Sequence, residues 1–261
     1  MSKQVVKIEK QGDILEIILN RPSCYNAMNF DLFDGVMEGV EQAKNPGIRA
    51  VIIRGEGKFF CVGGDIKEFS KAIETGRGLL VEDPERLHKI MSGIRSLPKP
   101  VIAVVHGACA GAGFSLMLCC DLAIAAKSTR FIMAYTSIGA SADGGSTYFL
   151  PRHVGVKKAM ELFVTQDLLT AKKAQKLGLI NYVVPKRKLI PKAHEMAQKL
   201  ASGPTLAYAK VKELLNHTYD NNLGQQLDLE AQFFVDSTNT EDFRGAVDAF
   251  LNKKKPLFRG K

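Results

Sequence analysis

The stretch VIAVVHGACAGAG, residues 101–113, decides the fold. Val101 to Val105 form a short, unbroken apolar run of the kind that builds a strand, and Gly111-Ala112-Gly113 then turns the chain before a helical pattern resumes. Working outward, the same succession appears on both sides. Val51-Ile52-Ile53 leads to Cys61-Val62-Gly63-Gly64-Asp65, and Leu122 to Ala125, with Phe131-Ile132-Met133, leads to Asp143-Gly144-Gly145. Strand, glycine turn and helix, given three times, predict stacked turns of an α/β spiral.

The glycines carry a second meaning. A glycine turn lets a ligand approach backbone N–H groups closely, and at a helix start those groups are unpaired and favour negative charge. Two such turns facing one point would form an oxyanion hole. A single cluster would signify no more than a tight turn.

Around this centre, residues 4–9 and 14–19 read as a hairpin about Gly12-Asp13, and a helical pattern runs to about residue 43. Beyond residue 155 the pattern is helical: 155–165, 170–177, 189–201, 204–217, 223–236 and 239–253, with a short strand at 180–184. The expected division is a spiral core over 1–200 and a helical region over 201–261 suited to packing on neighbours.

Composition bounds the function. Of 261 residues, 46% are apolar and 24% charged, as in an ordinary globular protein. The net charge of +9 asks for an anionic partner. Its basic clusters, at 157–158, 172–173, 186–188 and 253–255, are dispersed and not interleaved with aromatics, so a phosphorylated small molecule fits at least as well as nucleic acid. Cysteines 24, 61, 109, 119 and 120 form no CxxC pair and no metal spacing, so they read as small buried residues of a reducing compartment, and no metal site is expected. MSKQVVKIEK lacks the features of a signal or transit peptide, and no apolar run approaches the roughly 18 residues of a membrane span. These features predict a cytoplasmic protein.

The carboxylate that stands out is Asp143, in IGASADGGST (138–147). One reading makes it the N-cap of the next helix. The other makes it a reacting group walled by Ile138, Ala140, Ala142 and Phe149, where desolvation would raise its basicity.

GKFFCVGGDIKEF (57–69), KPVIAVVHGACAGAGFSLMLCCDLAIA (99–125), QKLGLINYVV (175–184) and AFLNKKKP (249–256) resemble the crotonase superfamily, the enoyl-CoA hydratase/isomerase group. The resemblance implies a ββα-spiral core with a C-terminal helical region, trimers or hexamers built as dimers of trimers, and acyl-CoA thioester substrates, with coenzyme A as part of the substrate and no other cofactor. It puts the backbone N–H groups of Gly64 and Ala112 on the thioester oxygen, although relatives usually carry glycine where Ala112 stands. Coenzyme A contacts would fall to the Arg21–Asn26 region with Asn26, to the Asp65-Ile66 backbone and, from a neighbouring subunit, to Phe250 and Lys253. Cys24 and Tyr25 depart from the charged residues common there.

Hydratases of this group use two glutamates to activate water, and the matching positions are Ser115 and Tyr135, which cannot do so. The resemblance leaves Asp143 as the reacting acid, as in the isomerase branches. RFIMAYTSIG (130–139), DGGSTYFLPR (143–152), QQLDLE (225–230) and KKKPLFRGK (253–261) resemble the ring-1,2-epoxyphenylacetyl-CoA isomerase branch. That branch implies rearrangement of an epoxide-bearing aromatic acyl-CoA, or a double-bond shift into conjugation. A second likeness is to 4-halobenzoyl-CoA dehalogenases, in which Asp143 would be the nucleophile and His88 would assist hydrolysis. There Tyr135 replaces a tryptophan, and the chain has none. His88 alone, on an amphipathic helix, also reads as a surface or packing residue. His106 reads as a hydrogen-bonded structural residue, Asp121 as a partner of local backbone donors, and 74–85, with Asp83-Pro84, as a wall of the acyl pocket. A relative that binds acyl-CoA or RNA without catalysis is the alternative of another class.

Overall fold

The computed structural model describes residues 4–261 except 77, 79 and 81. In chain order the elements are β1 (Val6–Gln11), β2 (Ile14–Leu19), α1 (Phe30–Ala43), β3 (Ala50–Gly55), α2 (Ile66–Glu74), α3 (Glu82–Ser96), β4 (Val101–Val105), β5 (Ala108–Ala110), α4 (Ala112–Cys119), β6 (Leu122–Ala126), β7 (Arg130–Ile132), α5 (Ser146–Val154), α6 (Val156–Thr165), β8 (Leu169–Thr170), α7 (Ala171–Lys176), β9 (Tyr182–Val184), α8 (Leu189–Ala201), α9 (Thr205–His217), α10 (Leu223–Thr238) and α11 (Glu241–Leu251). The larger sheet runs β1-β2-β3-β4-β6-β9, and a small one runs β5-β7-β8. Only the β1–β2 hairpin is antiparallel in the larger sheet.

The apolar runs of β2, β3 and β4 are continuous because helices cover both faces of the sheet. Leu15, Ile17, Val51, Ile53, Val101 and Ala103 point into the core shared with α1 and α3. Their neighbours Ile14, Ala50, Ile52, Ile102 and Val104 meet α8, whose Leu189, Ala193, Ala197 and Ala201 recur every fourth residue to form one stripe. Each large aliphatic side chain buried this way contributes about 1.5–3 kcal/mol.

The helical region is fastened to this core by charge as well as packing. Lys212 of α9 is buried, and its Nζ donates to the carbonyls of Ile94 and Lys99 at 2.8 and 3.3 Å and to Asp121 Oδ2 at 2.8 Å. Asp121 also accepts from Val101 N–H at 2.9 Å and pairs with Arg95 at 3.0 Å, so its role reaches well beyond the local donors expected of it. Arg95 in turn bonds Asn216 of α9.

Asp83-Pro84 lies in the first turn of α3 and not in an irregular loop, and there a proline's missing N–H costs nothing. Residues 77, 79 and 81 of the 74–85 segment lie outside the described residues. Among the described residues no helix is long and apolar enough to cross a membrane.

Candidate active site

Two glycine turns meet at the head of α4. In the first, Met28 N–H donates to Gly63 O at 2.7 Å and Asp65 N–H to Met28 O at 2.9 Å, which pins the loop on either side of Gly64. Gly63 adopts φ +106°, and a Cβ there would lie 3.6 Å from the Ala112 nitrogen, so the two turns are in contact. In the second, Gly111 at φ +47° caps α4, its N–H donating to Ile132 O at 3.1 Å. The N–H groups of Gly64 and Ala112 donate to no acceptor among the described residues. Two adjacent free donors at a helix N-terminus are suited to holding an oxyanion.

Asp143 lies in the loop between a 3-10 turn, Ala134–Ile138, and α5. Its Oδ1 lies 2.6 Å from His88 Nε2, which α3 presents across the loop. The apolar enclosure expected around Asp143 is partial: the carboxylate side chain keeps 32% exposure and Ile138 is 54% exposed. Ala142 and Phe149 do pack on the core beside it. Asp143 does cap locally, but through its backbone, because its carbonyl accepts from Ser146 N–H at 3.2 Å and Ser146 Oγ at 2.9 Å. The N-cap position of α5 belongs to Gly145.

Ser115 and Tyr135 meet at this carbonyl too. Ser115 Oγ and Tyr135 Oη are 2.7 Å apart, and they lie 3.2 and 3.0 Å from Asp143 O. Burial pushes the Tyr135 phenol well above its ordinary value, with hydrogen bonding to Ser115 opposing, so the hydroxyl stays protonated. Asp143, His88, Ser115 and Tyr135 thus form one hydrogen-bonded group. Ser115, which also reaches Gly111 O at 3.3 Å, connects it to the turn that carries Ala112. Ser146 escaped the sequence reading. Its signal was a hydroxyl directly after the paired glycines at the helix start.

The residues expected at coenzyme A divide differently. Asn26 is fully buried, its Nδ2 donating to Glu56 O and Phe59 O at 3.0 and 2.8 Å and its Oδ1 accepting from Arg21 N–H at 2.9 Å. That side chain ties the 21–26 loop to the 56–59 segment. Asp65 is likewise occupied: it caps α2 by accepting from Lys67 N–H at 3.1 Å and pairs with Arg21 at 2.9 Å, while its own N–H is taken by Met28. Ile66 is exposed on the first turn of α2. Phe250 and Lys253 are exposed at the end of α11, and no bond among the described residues joins them to Asp143. His106 donates from Nε2 to Gly57 O at 3.0 Å and serves the loop. Among the described residues no group of three His, Cys, Asp or Glu could hold a metal ion.

Comparison with known proteins bears on this geometry. Residues 9–261 match the family model described as enoyl-CoA hydratase/isomerase. The 1,2-epoxyphenylacetyl-CoA isomerase of Escherichia coli is 34% identical over 95% of both chains. A trans-2-decenoyl-[acyl-carrier-protein] isomerase of Streptococcus mutans is 30% identical, again over 95% of both. The crystal structure of an enoyl-CoA hydratase from Polaromonas sp. JS666 superposes with a TM-score of 0.93 at 36% identity, covering 97% of this chain and 99% of that one. Relatives named as isomerases and as hydratases therefore stand at similar distance. The expected spiral core with C-terminal helices is borne out, and the chain belongs to the enoyl-CoA hydratase/isomerase family.

Proposed function

We propose that the protein is an acyl-CoA isomerase in which Asp143 shuttles a proton between two carbons of the acyl chain while the Gly64 and Ala112 N–H groups hold the thioester oxygen. The observation that carries this reading is the placement of a single carboxylate in the bonded group. The hydroxyls of Ser115 and Tyr135, at the positions of the hydratase glutamates, are engaged with each other and with the Asp143 backbone. Adding water needs a base and an acid at two points, whereas moving a double bond needs one group that accepts a proton and returns it. Asp143 would take a proton from C2 of a 3-enoyl thioester, the two donors would hold the dienolate oxygen, and the proton would return at C4. The same parts suit rearrangement of 1,2-epoxyphenylacetyl-CoA to an oxepin.

On this reading the basic charge serves the coenzyme A phosphates, with Ile66 near them, and no other cofactor takes part. The exposed Leu215, Leu223, Phe234, Phe250 and Leu251 support the expectation that 201–261 packs on neighbours in a trimer or hexamer, bringing Phe250 and Lys253 to an adjoining site.

The 2.6 Å contact of His88 with Asp143 favours one second reading, hydrolysis of a halobenzoyl-CoA. Asp143 would displace halide from the ring, and water activated by His88 would cleave the resulting aryl ester, regenerating Asp143. A paired assay of the wild type and Asp143→Asn decides. Conversion of 3-enoyl-CoA to 2-enoyl-CoA, falling on the order of 100-fold or more in the variant, is expected for the shuttle. Halide release without isomerisation would favour the second reading, and silence in both channels with acyl-CoA binding intact would leave a binding protein.

A further inference from the structure

We propose that Ser115, Tyr135 and Ser146 are positioning residues that set the register of the Asp143 loop against the oxyanion turn. The proposal rests on the reading of Asp143 as the reacting carboxylate, and it adds what holds that carboxylate in place.

The Asp143 carbonyl oxygen has two lone pairs and four donors around it: the Ser146 hydroxyl at 2.9 Å and N–H at 3.2 Å, Tyr135 at 3.0 Å and Ser115 at 3.2 Å. Each has one proton to give. Ser146 approaches one lone pair with both its N–H and its hydroxyl, and Tyr135 takes the other. Ser115 then donates over its shortest contact, 2.7 Å, to the Tyr135 oxygen, which has a lone pair free once its own proton is committed. The result is a directed chain from Ser115 through Tyr135 to Asp143, met from the other side by Ser146.

Each end of the chain is anchored. Ser115 is fully buried on the first turn of α4, its own N–H donating to Gly111 O at 3.0 Å, so it moves with the Ala112 N–H. Ser146 is fully buried at the first residue of α5. Gly144, at φ +60°, sits so close that a Cβ there would come 3.0 Å from Leu87 Cδ2 and 3.1 Å from Ser115 Cβ. The loop therefore rests on α3 and α4 while the hydroxyls fix its height above them. Buried donors left without partners carry a penalty, so the arrangement resists slipping. The carboxylate itself is held at one oxygen, by His88.

Tyr135→Phe and Ser115→Ala each remove a link without changing Asp143, and two independent variants guard against one failing to fold. Two readouts are taken: kcat and KM for 3-enoyl-CoA isomerisation, and the imidazole nitrogen chemical shifts of His88 in the ligand-free protein at one fixed pH, with the signal identified by its loss in His88→Gln. The expected result is a fall in kcat on the order of 10- to 100-fold with KM little changed, because a small misplacement of a reacting group acts on the transition state. The His88 signal should move toward its position in Asp143→Asn. If the wild type shows no isomerisation, the shuttle reading falls, and the His88 signal alone then decides positioning. An unmoved His88 signal in folded variants, or a kcat equal to wild type, overturns the proposal.

Discussion

Gly113→Ala tests the contact on which the paired turns depend. A Cβ at Gly113 would lie 2.6 Å from the Cys61 carbonyl oxygen, 2.7 Å from Cys61 Cβ and 2.8 Å from its Sγ. Non-bonded heavy atoms settle at roughly 3.5 Å or more, so the head of α4 and the 61–64 turn must part by about 0.5–1 Å. Alanine in a helix gains about 1 kcal/mol over glycine. Forcing an extra carbon into a filled space costs about 1–3 kcal/mol. The balance is a net loss of up to ~2 kcal/mol, or roughly 2–4 °C in Tm for each kcal/mol in a chain of this size. The effect on turnover should be larger, because the parted surfaces carry the Gly64 and Ala112 donors. Misplacing a group by 1 Å can cost on the order of 100-fold in kcat. The control is Ala112→Gly, which keeps the backbone donor and should change kcat by less than about 5-fold while costing at most ~1 kcal/mol of helix stability. Calorimetry and isomerisation kinetics on both variants read these values. A Gly113→Ala protein with wild-type Tm and kcat would refute the reasoning, as would a crippled Ala112→Gly.

Lys212→Met should lower stability by about 2–3 kcal/mol in urea titration, at the small end for a severed buried pair because Asp121 keeps Arg95; a loss below about 0.5 kcal/mol would count against a fastening role. Burial, followed by the backbone bond to Gly57, which opposes it, and the charge of Lys186, holds the His106 imidazole below its ordinary value. The folded state then binds fewer protons than the unfolded one, so this contribution is whole above the unfolded value of about 6.5 and is lost as pH falls through the folded one. His106→Asn should flatten the fall in stability between pH 7.5 and 5, and an unchanged slope would refute the assignment. Burial pushes the thiols of Cys61 and Cys119 up to about 12 and those of Cys109 and Cys120 well above the ordinary value, whereas Cys24 is half-buried. Alkylation of the native protein at pH 8 followed by mass spectrometry should therefore label Cys24 first, and early modification of Cys61 or Cys109 would contradict this.

The fold was legible where one local rule sufficed. Val101 to Val105 reads as a strand because both of its faces are covered, and Gly63 and Gly111 read as turns because their backbone needs φ above zero. The short β5 and β8 were not legible, since two or three residues carry no periodicity and are defined by their pairing with β7 and, for β5, also with Cys61. At the site, Asp143 stood out as a carboxylate among small residues. Its contact with His88 bridges 55 positions and depends on how α3 lies over the loop, which no local pattern encodes. Asn26 shows the converse: a polar residue beside a glycine turn looks available, yet its side-chain bonds go to Arg21 and, 30 and 33 positions away, to Glu56 and Phe59, which no local pattern encodes.

Because the loop is gripped at the peptide carbonyl of residue 143 by Tyr135 and Ser146, those bonds do not require any particular side chain there. Scaffold and reagent are separable there. A glutamate, serine or asparagine could replace the aspartate with the loop still in position, so variation at this one codon can sample different chemistries on an unchanged frame.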